Sequence, residues 1–142
     1  MRRATSTAAV LSLVLIACAE PAEQAATDPT DTAWRLESGT LTGSAIPVLE
    51  THPITLVFDE DGAGGTSACN HYSARYSISG GELNFDQIIQ TEMACIPDEV
   101  MESEAAFLAA LSLVETFRST KDSLTLSGDG VELIFEVDEE AA

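Results

Sequence analysis

Apolar residues near the end of the chain recur at every second position. Val131, Leu133, Phe135 and Val137 fall on one side, with Glu132 and Glu136 on the other. A period of two fits a strand with one face in a core and one in water. The same alternation marks Trp34 with Leu36, then Ile54, Leu56 and Phe58, then Leu83 and Phe85, then Leu124 and Leu126. Gly80-Gly81, between Ile78 and Leu83, is a tight hairpin signal. Gly128-Asp129-Gly130 does the same for the last two strands. About seven or eight short strands with turns at this spacing predict an antiparallel barrel or sandwich.

One segment breaks the alternation. From Pro97 to about Val114, Met101, Ala105, Leu108 and Leu111 recur at three- and four-residue steps, and Phe107 and Val114 widen the stripe. Pro97 suits a first helical position, and Asp98, Glu99 and Glu102 suit the positive end of a helix dipole. The reading is mainly β with a single helix lying across an open side or end of the sheet, where it would hide strand edges.

The start of the chain speaks of location. Met1-Arg2-Arg3 is followed by about ten mostly apolar residues and then by Leu15-Ile16-Ala17-Cys18, the pattern of a secretory signal. The apolar run is too short for the ~20 residues of a spanning helix. A cysteine just past the cleavage point resembles the lipobox of a bacterial lipoprotein, which makes Cys18 the expected lipidation site and the membrane its partner through that lipid. By analogy, Ala19 in place of the aspartate that retains such proteins at the inner membrane favours the outer membrane, facing the periplasm. Residues 1–17 are then a signal peptide and 18–31 an acylated N-terminus and tether. The tether holds no large apolar side chain as far as Asp31. The folded domain is expected over 32–138, with an acidic tail at 139–142.

Charge narrows the partners. The chain carries 24 acidic and 6 basic residues, a formal −18, which falls to −20 once Arg2 and Arg3 leave with the signal. Phosphate binding needs clustered lysine and arginine, so nucleic acid is excluded as a partner. The acids are read as a solvated surface.

Three cysteines in an exported chain leave an odd thiol, and lipidation of Cys18 removes it from the count. Cys69 and Cys95 remain, and in an oxidising compartment such a pair bridges. The alternative is a metal site of Cys69, His71, Cys95 and His52. Cys-x-His is not a zinc-ligand spacing and the second half of such a site is missing, so the bridge is preferred and no metal or cofactor is expected.

The segment Gly65-Thr66-Ser67-Ala68-Cys69-Asn70-His71-Tyr72-Ser73-Ala74-Arg75-Tyr76, with Thr91-Glu92-Met93-Ala94-Cys95 and Trp34-x-Leu36, resembles the META domain of the HslJ family of bacterial envelope proteins. Glu104, Leu108 and Leu111 fit that family's helix, and Leu124-x-Leu126 and Leu133-x-Phe135 its last two strands. The resemblance spans Trp34 to Val137. It implies an antiparallel, incompletely closed β-barrel with one helix packed across it, similar to secretion pilotins. It also implies a role in heat shock, novobiocin tolerance and envelope upkeep, and it brings no catalytic residues. The family usually has glycine where this chain has Ala68 and Ala74, and alanine at a position needing positive φ would be strained.

No enzyme is expected. His71 beside Tyr72 and near Arg75 has no serine motif or metal-binding run for company, and His52 precedes Pro53 in a loop. Cys69 and Cys95 lack the Cys-x-x-Cys spacing that lowers a thiol pKa. Asp59-x-Asp61-Gly62 mimics the start of a calcium loop, but Asn70 stands where a bidentate glutamate belongs, so a turn is the better reading. What remains is a monomeric, non-catalytic binding or chaperone-like module with an envelope or secreted protein as partner. The alternatives are a carrier of a small hydrophobic ligand inside the barrel and a purely structural envelope component.

Overall fold

The computed structural model describes residues 27–141. The signal sequence and Cys18 lie outside the described residues. Nine strands form one antiparallel sheet: β1 (Trp34–Leu41), β2 (Ser44–Ala45), β3 (Thr55–Phe58), β4 (Ala63–Thr66), β5 (His71–Ser79), β6 (Glu82–Gln90), β7 (Val114–Ser119), β8 (Ser123–Gly128) and β9 (Val131–Val137). They neighbour one another in sequence order except that β2 flanks β1, and β1 pairs both β3 and β9. The β1–β9 pairing, seven register pairs from Trp34–Val137 to Leu41–Val131, closes eight strands into a barrel and leaves β2 as a short extension. The opening implied by the resemblance is thus reduced to one weak seam. Between β6 and β7 the only register pair is Glu82 with Thr116.

The alternating residues do what a period of two requires. Trp34, Leu36, Ile54, Leu56, Phe58, Leu83, Phe85, Leu124, Leu126, Val131, Leu133 and Phe135 all point inward and are buried. Burial of each large side chain is worth roughly 1.5–3 kcal/mol, which makes this inward set the main source of stability. Both glycine signals are turns. Ser79 pairs with Glu82 around Gly80 at φ 61°, and Gly128 pairs with Val131 around Gly130 at φ 69°, backbone angles that favour glycine.

The helix α1 (Asp98–Leu111) begins one residue later than the sequence suggests, with Pro97 as N-cap and Asp98 and Glu99 in the first turn. Its inward face also differs. The buried residues are Val100, Ser103, Glu104, Phe107, Ala110 and Leu111, whereas Ala105 is exposed and Met101 and Leu108 are half-buried. The face is rotated by about one residue because two polar side chains, Ser103 and Glu104, sit in its centre and hide it from a search for apolar spacing. Phe107 enters the barrel and meets Tyr72 (ring centroids 5.4 Å apart, 71° between planes) and Phe135 (6.5 Å, 71°) edge to face. Together with Leu111 and Val100, both fully buried, it fills the interior.

Residues at both ends belong to the barrel's surroundings. Thr27–Asp31, read in the sequence as the end of the tether, lies on the barrel: Pro29 is buried in a short 3-10 turn, and the Trp34 indole donates Nε1–H to its carbonyl oxygen at 2.9 Å. In the acidic tail, Glu140 meets Arg35 at 3.4 Å, beside the Arg35–Glu136 pair at 3.2 Å. These are exposed ion pairs that add little to stability.

Candidate functional site

The most specific chemistry in the described residues is a buried polar node joining the β4–β5 turn, the β6–α1 segment and the helix. Glu104, 2% exposed, projects from α1 into that turn. Its Oε2 accepts from the Asn70 backbone N–H at 2.7 Å and from Ser67 Oγ at 2.7 Å, and its Oε1 accepts from Asn70 Nδ2 at 2.8 Å. Asn70 is saturated in turn. Its Nδ2 also donates to Met93 O (3.1 Å), and its Oδ1 accepts from Met93 N–H (2.7 Å) and Thr91 Oγ1 (2.9 Å). Such a group is tolerated in a core only when fully bonded, and no buried side-chain polar atom among the described residues lacks a partner. With both carboxylate oxygens occupied by internal donors and the side chain buried, Glu104 is placed to pin the helix to the turn.

A disulfide between Cys69 and Cys95 flanks the node, with Cα atoms 5.8 Å apart. Both sulfurs are therefore used by each other, and the alternative metal set with His71 and His52 is not assembled. His71 opens β5 and is exposed, while His52 lies in a turn and contacts Thr51 Oγ1 at 3.0 Å through Nδ1. Among the described residues no cluster of His, Cys, Asp and Glu has metal-binding proximity. Tyr72 points the opposite way from its neighbour His71, into the barrel, where its hydroxyl donates to Thr55 O at 2.8 Å. Burial pushes its phenol well above the ordinary value. Arg75 is exposed on the outer face. The strand thus turns Tyr72 away from His71 and Arg75, which stay on the exposed face of β5. Asp59 Oδ1 accepts from the N–H groups of Asp61 and Gly62, both at 2.8 Å, which makes Asp59-x-Asp61-Gly62 a side-chain-closed turn.

In the sequence Glu104 stands out only as fitting the family's helix, and nothing there connects it to Ser67 and Asn70. A signal was present: Glu104 follows Val100 by four and precedes Phe107 and Leu111 by three and seven, so it shares the buried stripe.

Ala68 has φ 86°, in the left-handed region, directly before Cys69. This is one of the two positions where the family's usual glycine is missing, and the strain expected there is present. Ala74 has no positive φ and is the single β5 residue facing two in β6, Gln87 and Ile88, at the register shift. A left-handed L-residue costs roughly 1–2 kcal/mol. Glycine at position 68 gives back part of that through a freer unfolded chain and a lost methyl contact. Ala68→Gly should therefore raise stability by about 0.5 kcal/mol, and Ala68→Val should lower it by at least ~1 kcal/mol. Urea melts of the two variants read the opposite signs directly.

A domain-family model, the META domain, matches residues 27–140. A search of curated protein sequences finds no match. Among solved structures, the NMR structure of a protein from Burkholderia xenovorans is similar at 28% identity and TM-score 0.67, covering 84% of this chain and 96% of that one. A second NMR structure has the same fold at 22% identity and TM-score 0.58, covering 76% and 90%. With the closed barrel, the single helix and the node between them all inside the matched residues, the chain belongs to the META domain family.

Proposed function

We propose that this is a lipid-anchored protein of the bacterial envelope that acts by binding, in a non-catalytic or chaperone-like role in envelope stress tolerance. The signal pattern ending at Cys18 supports the anchor, and the oxidised Cys69–Cys95 pair is in keeping with an exported protein. No helix among the described residues is long and apolar enough to cross a membrane.

The observation that carries the binding reading is the packed interior. Trp34, Leu56, Leu83, Phe107, Leu124 and Phe135 are each no more than 1% exposed, and they occupy the space where a carried ligand would sit. A filled interior disfavours the carrier alternative and supports recognition on the outside of the barrel. Native mass spectrometry of the full-length protein, extracted gently from its own membrane, tests this. The expected spectrum shows an acylated chain with a co-purifying polypeptide. Extra mass of lipid size beyond the acyl groups would restore the carrier, and a bare acylated monomer would favour the purely structural role.

A further inference from the structure

The seam between β6 and β7 is staggered. The strands meet at Glu82 and Thr116, reinforced by Phe117 N–H donating to Gly81 O at 3.0 Å. Being antiparallel, each then runs on alone. β7 continues to Ser119, past the Gly80-Gly81 turn, and β6 continues to Gln90, past the start of β7 at Val114.

The two overhangs are treated differently. Backbone groups two residues apart point to the same edge, so Ser119 faces the same side of β7 as Phe117. There Thr27 covers it: its N–H donates to Ser119 O at 3.1 Å, and the two hydroxyls lie 3.2 Å apart. Thr27 thus caps one overhang with the chain's own backbone. On β6, Thr91 gives its N–H to His71 O on the β5 side, so the N–H and C=O of Gln90 point the other way. Among the described residues nothing pairs with that edge beyond Glu82. Asp86, Gln87, Ile89 and Gln90 are exposed, Ile89 by 66%.

We propose that the β6 edge from Phe85 to Gln90 is a docking site for an extended, basic polypeptide segment, which adds as a strand. The main chain of β6 supplies the hydrogen bonds, and the exposed Ile89 supplies an apolar contact on the outer face. Charge selects the occupant. Glu82 and Asp86 lie on β6, Glu92 just follows it and Glu115 lies on β7, all exposed. Against them stand the exposed cations Arg75, opposite Asp86, and Arg118 on β7, on a chain of formal charge −18. A second copy would bring that charge against itself, whereas a segment bearing lysine or arginine is attracted. The register shift puts two β6 residues, Gln87 at φ 50° and Ile88, opposite Ala74, so an added strand must accommodate a bulge there, and the charge of Asp86 guards the same edge against its own kind. A charge, however, repels only its own sign.

This inference rests on the non-catalytic binding reading, and its test separates the two. The probe is a nine-residue peptide of alternating valine and lysine, titrated into the ¹⁵N-labelled full-length protein. The controls are the same peptide N-methylated at alternate residues and a valine–glutamate counterpart. The expected result is binding of the basic peptide, with shifts and slowed exchange at the amides of residues 85–90. N-methylation should abolish binding, and the acidic peptide should not bind. Asp86→Lys should weaken the basic peptide about fivefold. Shifts centred elsewhere on the barrel overturn the edge site and leave a binding module standing. Failure of both peptides, with no polypeptide in the native mass spectrum, overturns both. Protection of residues 85–90 before peptide is added also overturns the proposal. Loss of that protection on dilution would assign the edge to a second copy, and loss on deleting residues 19–26 would assign it to the chain's own N-terminus.

Discussion

Replacing Glu104 with alanine is expected to lower the stability of the domain by about 3–5 kcal/mol, the mutational effect with the strongest structural basis. The Asn70 N–H loses its acceptor inside the fold, and an unsatisfied buried donor costs about 1–3 kcal/mol. Ser67 Oγ can turn to Asn70 O, 2.9 Å away, and Asn70 Nδ2 keeps Met93 O, so the other two donors are partly rescued. The cavity left by the missing carboxylate adds the remainder. Glu104→Gln separates these contributions. It fills the same space, but its amide must place an NH₂ against a donor, either Asn70 Nδ2 or the pair of Asn70 N–H and Ser67 Oγ. The loss should be about 1–3 kcal/mol, between wild type and alanine. For a domain of this size the alanine variant should melt roughly 10–20 °C lower. Urea and thermal melts followed by circular dichroism measure both, and equal losses for Gln and Ala would show that volume, not hydrogen bonding, sets the value of the site.

The contrast between the strands and this node shows what was legible in the sequence. A half-buried strand writes its orientation into alternate residues, so Val131, Leu133 and Phe135 could be assigned to the core without a structure. Gly80 and Gly130 marked their turns because the backbone there needs positive φ. The helix was legible as a helix, but its face was not. Glu104 is buried only because Ser67 and Asn70, 37 and 34 positions earlier, bring donors to it. That pairing depends on tertiary structure and leaves no periodic trace. Closure of the barrel was hidden for the same reason, since β1 and β9 are at opposite ends of the described chain. The cysteine bridge was legible because it follows from counting thiols once the signal pattern is read as that of an exported chain.

Removing the Cys69–Cys95 bridge should cost about 3.5 kcal/mol if the chain-entropy account holds for the 26-residue separation it spans. The bridge ties the β4–β5 turn to the segment between β6 and α1, the same two pieces that Asn70 holds through Met93 and Thr91. Those hydrogen bonds survive reduction, so the native fold should persist with a lower melting temperature. Both cysteines are half-buried, which leaves them open to a small reductant. Thermal melts of wild type with and without dithiothreitol, beside Cys69→Ser, should give one high and two low transitions. Under the proposed lipid anchor at Cys18, Cys69→Ser should leave membrane association unchanged. Coincident transitions would show that the bridge contributes nothing. Because the disulfide and Glu104 anchor the same turn, the two losses should not add. A double-mutant cycle with Cys69→Ser and Glu104→Gln should return a coupling of about 0.5–3 kcal/mol, as expected for neighbours that share a backbone segment. A coupling near zero would mean that the bridge and the carboxylate stabilise independent parts of the barrel.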